Sequence, residues 1–134
     1  MTPEQTQLAK SLVALGLKNE RFFRWMPGMA YVLRGGAALW GNLRVRDDPE
    51  QIAGLRKADS EAAWPRLADP ATAGCLEYIL NEIAEVEQWE GKTHCHVADD
   101  GNYRKDFFMR TSGDCIGEVR AKAIKAIAKA EGVE

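Results

Sequence analysis

Only one trio in this chain has ligand-like spacing, His94-Cys95-His96. Alternate residues of a strand lie on one face, so imidazoles at 94 and 96 would share a face that Cys95 does not. A metal ion needs further ligands, and Asp99, Asp100 and Asp106 are the nearby candidates. No Cys-x-x-Cys pair or second His motif adds to them, and a polar sheet face accounts for the two histidines, so no metal is assigned. Cys115 stands at a predicted helix N-terminus, where the dipole favours a thiolate. A thiol nucleophile also needs a positioned base, and no residue pattern fixes one. Asp99-Asp100 suits a turn, and Glu77, Glu82 and Glu85 read as the solvated side of a helix. Gly35-Gly36 is not followed by a helix bearing Lys-Ser/Thr, and there is no G-x-G-x-x-G, so no phosphate loop is present. The sequence assigns no catalytic residue, no metal and no cofactor, and the chain reads as non-enzymatic.

Two groups of residues have the character of a binding surface. In the segment 19–25, Arg21 and Arg24 are interleaved with Phe22, Phe23 and Trp25. Arginine and large aromatics are enriched at the energetic centres of protein interfaces. The same residue types suit single-stranded nucleic acid, through stacking and phosphate contact. A third placement sends the aromatics into the core and leaves the arginines outside. The second group is His94, His96, Phe108 and Arg110, on one face of a predicted hairpin. That face is too polar for a core and aromatic enough to dock a partner. Arg21, Phe22, Arg24, Trp25, His94, His96, Phe108 and Arg110 are therefore the candidate partner-binding residues.

The elements that would position these residues follow from local signals. Thr2-Pro3-Glu4-Gln5 starts a helix, with Thr2 as cap and Gln5 closing a capping box. Leu8, Leu12 and Leu15 form its apolar stripe, and Gly16 reads as its end. Residues 29–33 and 37–45 are strand candidates around a Gly35-Gly36 turn, with Gly41 hinting at a bulge. Asp48-Pro49-Glu50-Gln51 signals a short helix inside an acidic connection, and Trp64-Pro65 reads as extended chain. Asp69-Pro70 opens a central helix whose apolar face runs through Cys75, Leu76, Ile79, Leu80, Ile83 and Val86. Gly74, early in that helix, suggests the close approach of another backbone.

Residues 93–98 and 103–110 alternate around Asp99-Asp100-Gly101-Asn102 and form a final hairpin. A three-residue loop is favoured, with Gly101 in the left-handed position, because it joins the Val97 face to that of Phe107 and Met109. Residues 111–114 start the last helix, whose stripe is Ile116, Val119, Ala123, Ile124 and Ile127, and Gly132 stops it. The expected fold is a single α+β domain over residues 1–134. Its two β-hairpins form an antiparallel sheet, with about three helices packed on one face. The other face, or an edge strand, would make any partner contact.

The bounds agree with a folded protein. At 134 residues, with 46% hydrophobic and 28% charged, the chain can bury a core without staples. No apolar run approaches the ~20 residues that span a bilayer. Residues 1–5 lack the basic and apolar regions of a signal peptide. Cys75, Cys95 and Cys115 have the spacing of reduced thiols in a cytoplasmic protein. Charge is unevenly spread: seven Lys/Arg against two Glu in residues 1–46 give +5, and eleven acids against three bases in 47–90 give −8. Either the two segments serve a partner, or they lie side by side and neutralise each other. No long apolar surface run demands burial, so a monomer is favoured over a homodimer.

Three stretches carry a resemblance: Arg24-Trp25-Met26-Pro27-Gly28-Met29, the helix start Leu67-Ala68-Asp69-Pro70-Ala71-Thr72-Ala73-Gly74-Cys75-Leu76, and the terminal strand with its Ala-rich helix. In this order they resemble small proteins encoded by temperate phages and prophages of Gram-negative bacteria. The chain departs from them in the acidic 47–62 segment and at its Lys-rich end. The resemblance implies a cytoplasmic accessory protein of a mobile element and attaches no activity to any residue. The functional expectation is a non-enzymatic interaction protein acting on a host protein. The alternative is a nucleic-acid-associated protein binding through Arg21, Arg24, Arg34, Arg44 and Arg46.

Overall fold

The computed structural model describes residues 2–34, 43–89, 92–99 and 102–133, and for residues 88–89, 92–99 and 102–110 the backbone alone. Helix α1 (Pro3–Lys18) begins with the expected capping box. The Thr2 hydroxyl accepts the Gln5 N–H at 3.1 Å, and the Gln5 side chain accepts the Thr2 N–H at 3.2 Å. The helix does not stop at Gly16 but runs on to Lys18, with Asn19 as its C-cap. Gly16 serves another purpose. A Cβ there would lie 2.5 Å from the Phe23 carbonyl oxygen, so its bare backbone admits the chain folding back behind the helix.

Among the described residues the strands fall into two three-stranded antiparallel sheets, where the sequence predicts one sheet. In the first, β1 (Ala30–Leu33) lies between β2 (Leu43–Arg44) and β3 (Ala63–Pro65). Pro65, which cannot donate to a ladder, ends β3 at the sheet's edge. The predicted turn at Gly35-Gly36 and the Gly41 bulge lie outside the described residues. Helix α2 (Pro49–Lys57) forms where its start signal lies, with the Asp48 carboxylate accepting the Glu50 N–H at 3.0 Å. Helix α3 (Pro70–Ile83) is capped by Asp69, which accepts the Thr72 N–H at 3.0 Å.

The largest departure from the sequence reading follows α3. The chain passes directly into strand β4 (Ala84–Trp89), although Val86 continues the helical stripe. Strands β5 (Lys92–Asp99) and β6 (Asn102–Ser112) complete the second sheet in the order β4-β5-β6. This is why one sheet does not form. β3 takes the second edge of β1, and β4 takes the edge of β5 that another hairpin would need.

The final hairpin keeps the expected pairing of faces by a different route. Cys95 is opposite Met109, and Thr93 is opposite Thr111. Nearer the tip the register shifts, so that Ala98 faces Tyr103 and Asp99 faces Asn102. A bulge thus reconciles a two-residue connection with the pairing the apolar residues favour. Gly101 lies outside the described residues.

Helix α4 (Ile116–Ala130) closes the fold and lies against α3, α1, β5 and β6. Val119, Ala123, Ile124 and Ile127 are fully buried with Leu12, Phe22, Leu76, Ile79 and Leu80 in a core that reaches both sheets. The helix ends at Ala130, and Gly132 follows with φ 78°, the left-handed conformation expected of a stop. Gly117 lies against the Leu67 carbonyl so closely that a Cβ would overlap it. Gly74, by contrast, has nothing among the described residues within 4 Å of the place its Cβ would take.

These two glycines predict opposite outcomes. Gly74→Ala should stabilise the protein by up to about 1 kcal/mol, the helix-propensity difference. Gly117→Ala should destabilise it by about 1–3 kcal/mol, the usual cost of overpacking. Urea denaturation midpoints check both, and a destabilising Gly74→Ala would show that something does pack on that position.

Candidate functional site

The segment 19–25 is built inward. Phe22, Phe23 and Trp25 are 0%, 2% and 4% exposed, so the expectation that Phe22 and Trp25 present a binding surface is corrected. Trp25 meets the edge of Phe23 at 5.4 Å between ring centroids and that of Tyr31 at 5.9 Å, a stack that closes the core between α1 and β1. The two arginines lie outside these rings and are engaged. Arg21 donates to both Glu131 carboxylate oxygens at 3.0 and 3.1 Å and lies over the Phe22 ring. Arg24 donates to both Glu82 oxygens at 3.2 and 3.0 Å and lies over Tyr78.

Two other basic residues of the first third behave alike. Arg44 grips Asp69 with two bonds of 3.0 and 2.8 Å, and Lys10 pairs with Glu61 at 2.9 Å. Lys10–Glu61, Arg24–Glu82 and Arg44–Asp69 each join the basic first third to the acidic middle. Part of the charge asymmetry of the sequence is therefore satisfied within the fold. A cavity of about 210 Å³ lies between the end of α1, this segment and α2, lined among others by Leu17, Asn19, Arg24 and Arg56. That is below the ~300–1,000 Å³ of ordinary small-molecule clefts.

Cys115 is the N-cap position of α4, and its sulfur lies 3.7 Å from both the Leu67 carbonyl oxygen and the Gln5 amide nitrogen. Burial pushes the Cys75 thiol above its ordinary pKa, and the nearby Asp69 charge adds to the shift.

The second sheet is the remaining surface of interest. Its register forms transverse rows, Glu87–His94–Arg110 and Glu85–His96–Phe108. The next row in the alternation is Val86–Cys95–Met109. Val86 packs against the core, while Glu85 and Glu87 are exposed. The positions of His94, His96, Phe108 and Arg110 thus fall in the rows of the exposed glutamates. Sequence reasoning misses that Glu85 and Glu87 belong with the histidines, because it continues the helix through Val86. The alternation Glu-Val-Glu-Gln-Trp is the signal that could have found them.

Comparison with family models, curated proteins and solved structures finds no match to this chain. Among the described residues, no helix is long and apolar enough to cross a membrane.

Asp69 generates a prediction of its own. The Arg44 guanidinium, followed by the Thr72 N–H, holds its carboxyl below the usual carboxylate pKa, against the opposing effect of burial. A depressed carboxylate stabilises the fold above its unfolded pKa of ~3.9, and that stabilisation is lost as pH falls through the lower folded value. Asp69→Ala should therefore cost about 1 kcal/mol at pH 7 from loss of the cap. The difference from the unsubstituted protein should shrink as pH drops below ~3.9. Urea unfolding at pH 7 and at low pH reads it, and a pH-independent difference would contradict it.

Proposed function

We propose that the protein is a non-enzymatic interaction protein and that the outer rows of the second sheet are its docking surface. The supporting observation is the register, which sets Glu87, His94 and Arg110 in one row and Glu85, His96 and Phe108 in the next, beside exposed glutamates. Both signs of charge with an aromatic in a small area fit a protein surface of mixed charge. On the resemblance of its motifs to temperate-phage proteins, the partner would be a bacterial host protein in the cytoplasm.

The nucleic-acid alternative has less behind it. Stacking requires accessible aromatics, and Phe22 and Trp25 are buried. Phosphate binding requires available cations; of the five arginines of this reading, Arg21, Arg24 and Arg44 each hold a carboxylate, while Arg46 is exposed and lies 3.8 Å from Asp48.

The test is variant-dependent capture from a bacterial lysate at low salt. The double substitution Glu85→Lys with Glu87→Lys should abolish retention of a specific protein that the unsubstituted chain retains. Lys10→Glu, at a residue that pairs with Glu61 and lies over Trp64 of the first sheet, should retain it once circular dichroism shows the variant folded. Capture unaffected by the glutamate reversals, or no specific protein retained, defeats the proposal. Salt-dependent retention of oligonucleotide by the unsubstituted chain would favour the alternative.

A further inference from the structure

We infer that the cavity at the end of α1 binds a small aromatic carboxylate, one ring bearing one acid group. The inference goes beyond the docking proposal and does not rest on it, because the cavity lies between α1, the segment 19–25 and α2 and shares no residue with the second sheet. Its size sets the ligand. The cavity holds about 210 Å³. An apolar cavity of ~150 Å³ is enough to take up benzene, so this one has room for a single ring with its carboxylate. Ligands that fill the larger clefts of ~300–1,000 Å³ do not fit.

The walls suit a ring. Val13, Phe23, Trp25 and Leu55 line the cavity, and each is at most 7% exposed, so the core holds them in place. Trp25 is packed edge-on against both Phe23 and Tyr31. The pocket is therefore formed before anything enters, and little ordering opposes binding. Leu17, at its rim, is 54% exposed and is one of two large hydrophobic residues exposed among those described. A ring seated against it would take that apolar surface out of water.

The mouth suits an anion. Lys18, Glu20 and Arg56 are exposed and line it. Lys18 forms no ion pair among the described residues. Arg56 lies 3.9 Å from Glu20, beyond hydrogen-bond distance, so its N–H groups remain available. Asn19 adds a neutral donor. Its side-chain oxygen accepts the Arg21 N–H at 3.0 Å, which leaves its amide NH₂ group for a ligand. Arg24 also lines the cavity, but its charge is balanced by Glu82. The two full positive charges of Lys18 and Arg56 stand against Glu20 and the roughly half charge of the α1 C-terminus, so the mouth stays positive.

The experiment is an NMR titration of isotope-labelled protein with benzoate. Saturable shifts are expected at the Gly16, Lys18 and Asn19 amides and at the Trp25 indole, with the second sheet unmoved. Lys18→Gln together with Arg56→Gln, at two exposed side chains, should weaken binding by about 10-fold, the scale of two exposed ion pairs, and leave the rest of the spectrum native. Benzamide, the same ring without the charge, should bind the unsubstituted chain more weakly than benzoate does and should not respond to the double substitution. No saturable shift, shifts centred elsewhere, benzamide binding as tightly as benzoate, or benzoate binding undiminished by the double substitution would each overturn the inference. Lysate capture that persists in excess benzoate would leave the docking proposal standing whatever the titration shows.

Discussion

The first turn of α3 is where the fold is joined. The buried Thr72 hydroxyl oxygen accepts the Ala30 N–H at 2.9 Å, which fixes β1 to the helix. Asp69 caps the same turn and grips Arg44, which fixes β2. Arg120 from α4 donates to the Ala73 carbonyl at 2.7 Å, and Gly117 lets the start of α4 lie directly on Leu67. One helical turn thus engages two strands of the first sheet and the helix that covers the second. Leaving the buried Ala30 N–H without its acceptor would cost about 1–3 kcal/mol, a large share of the stability of a domain this size. Neither Thr72 nor Gly117 is exchangeable on these grounds, though nothing in their local sequence says so.

The electrostatics have the same internal character. The +5 and −8 segments meet through Lys10–Glu61, Arg24–Glu82 and Arg44–Asp69. Pairs with this much solvent contact contribute little stability each. Their effect is on arrangement, since each joins elements far apart in the chain, and on reach, since a cation holding a carboxylate projects little field toward a phosphate. A charge count along a sequence measures composition by segment. Only the fold decides whether the segments face outward or face each other.

What the sequence disclosed was local. Helix starts at Thr2, Asp48 and Asp69 are read from side chains bonding to backbone within three residues, and all three form as expected. The hairpin's pairing of Cys95 with Met109 was legible because apolar residues alternate on both strands. The end of α3 was not legible, because Ile79, Ile83 and Val86 satisfy a helical period while Glu-Val-Glu satisfies a strand period. Tertiary pairing with β5 decided between them. Gly16 and Gly117 were opaque because their need for a bare backbone comes from Phe23 and Leu67 on other elements. In the candidate surface, the two histidines were visible as a pair. Their glutamate neighbours were not, because partners on an adjacent strand are set by register and not by spacing.

The passage from α3 into β4 explains why that register can hold. No turn intervenes: Ala84, whose N–H still bonds to the Leu80 carbonyl, already has extended dihedrals of φ −157° and ψ 161°. Ile83 and Ala84 are buried, Glu85 is exposed, Val86 packs on the core and Glu87 is exposed. The helix therefore sets which way the strand's alternation begins. A slip of one residue in β4 would turn Glu85 and Glu87 toward the core and Val86 toward water. Burying two carboxylates without partners costs far more than any rearranged apolar packing could offset. The outer rows are thus held to their face by a rigid helix on one side and by the penalty of charge burial on the other. A strand anchored in this way holds its register without a loop to order, which is the condition for recognising a partner at small entropic cost.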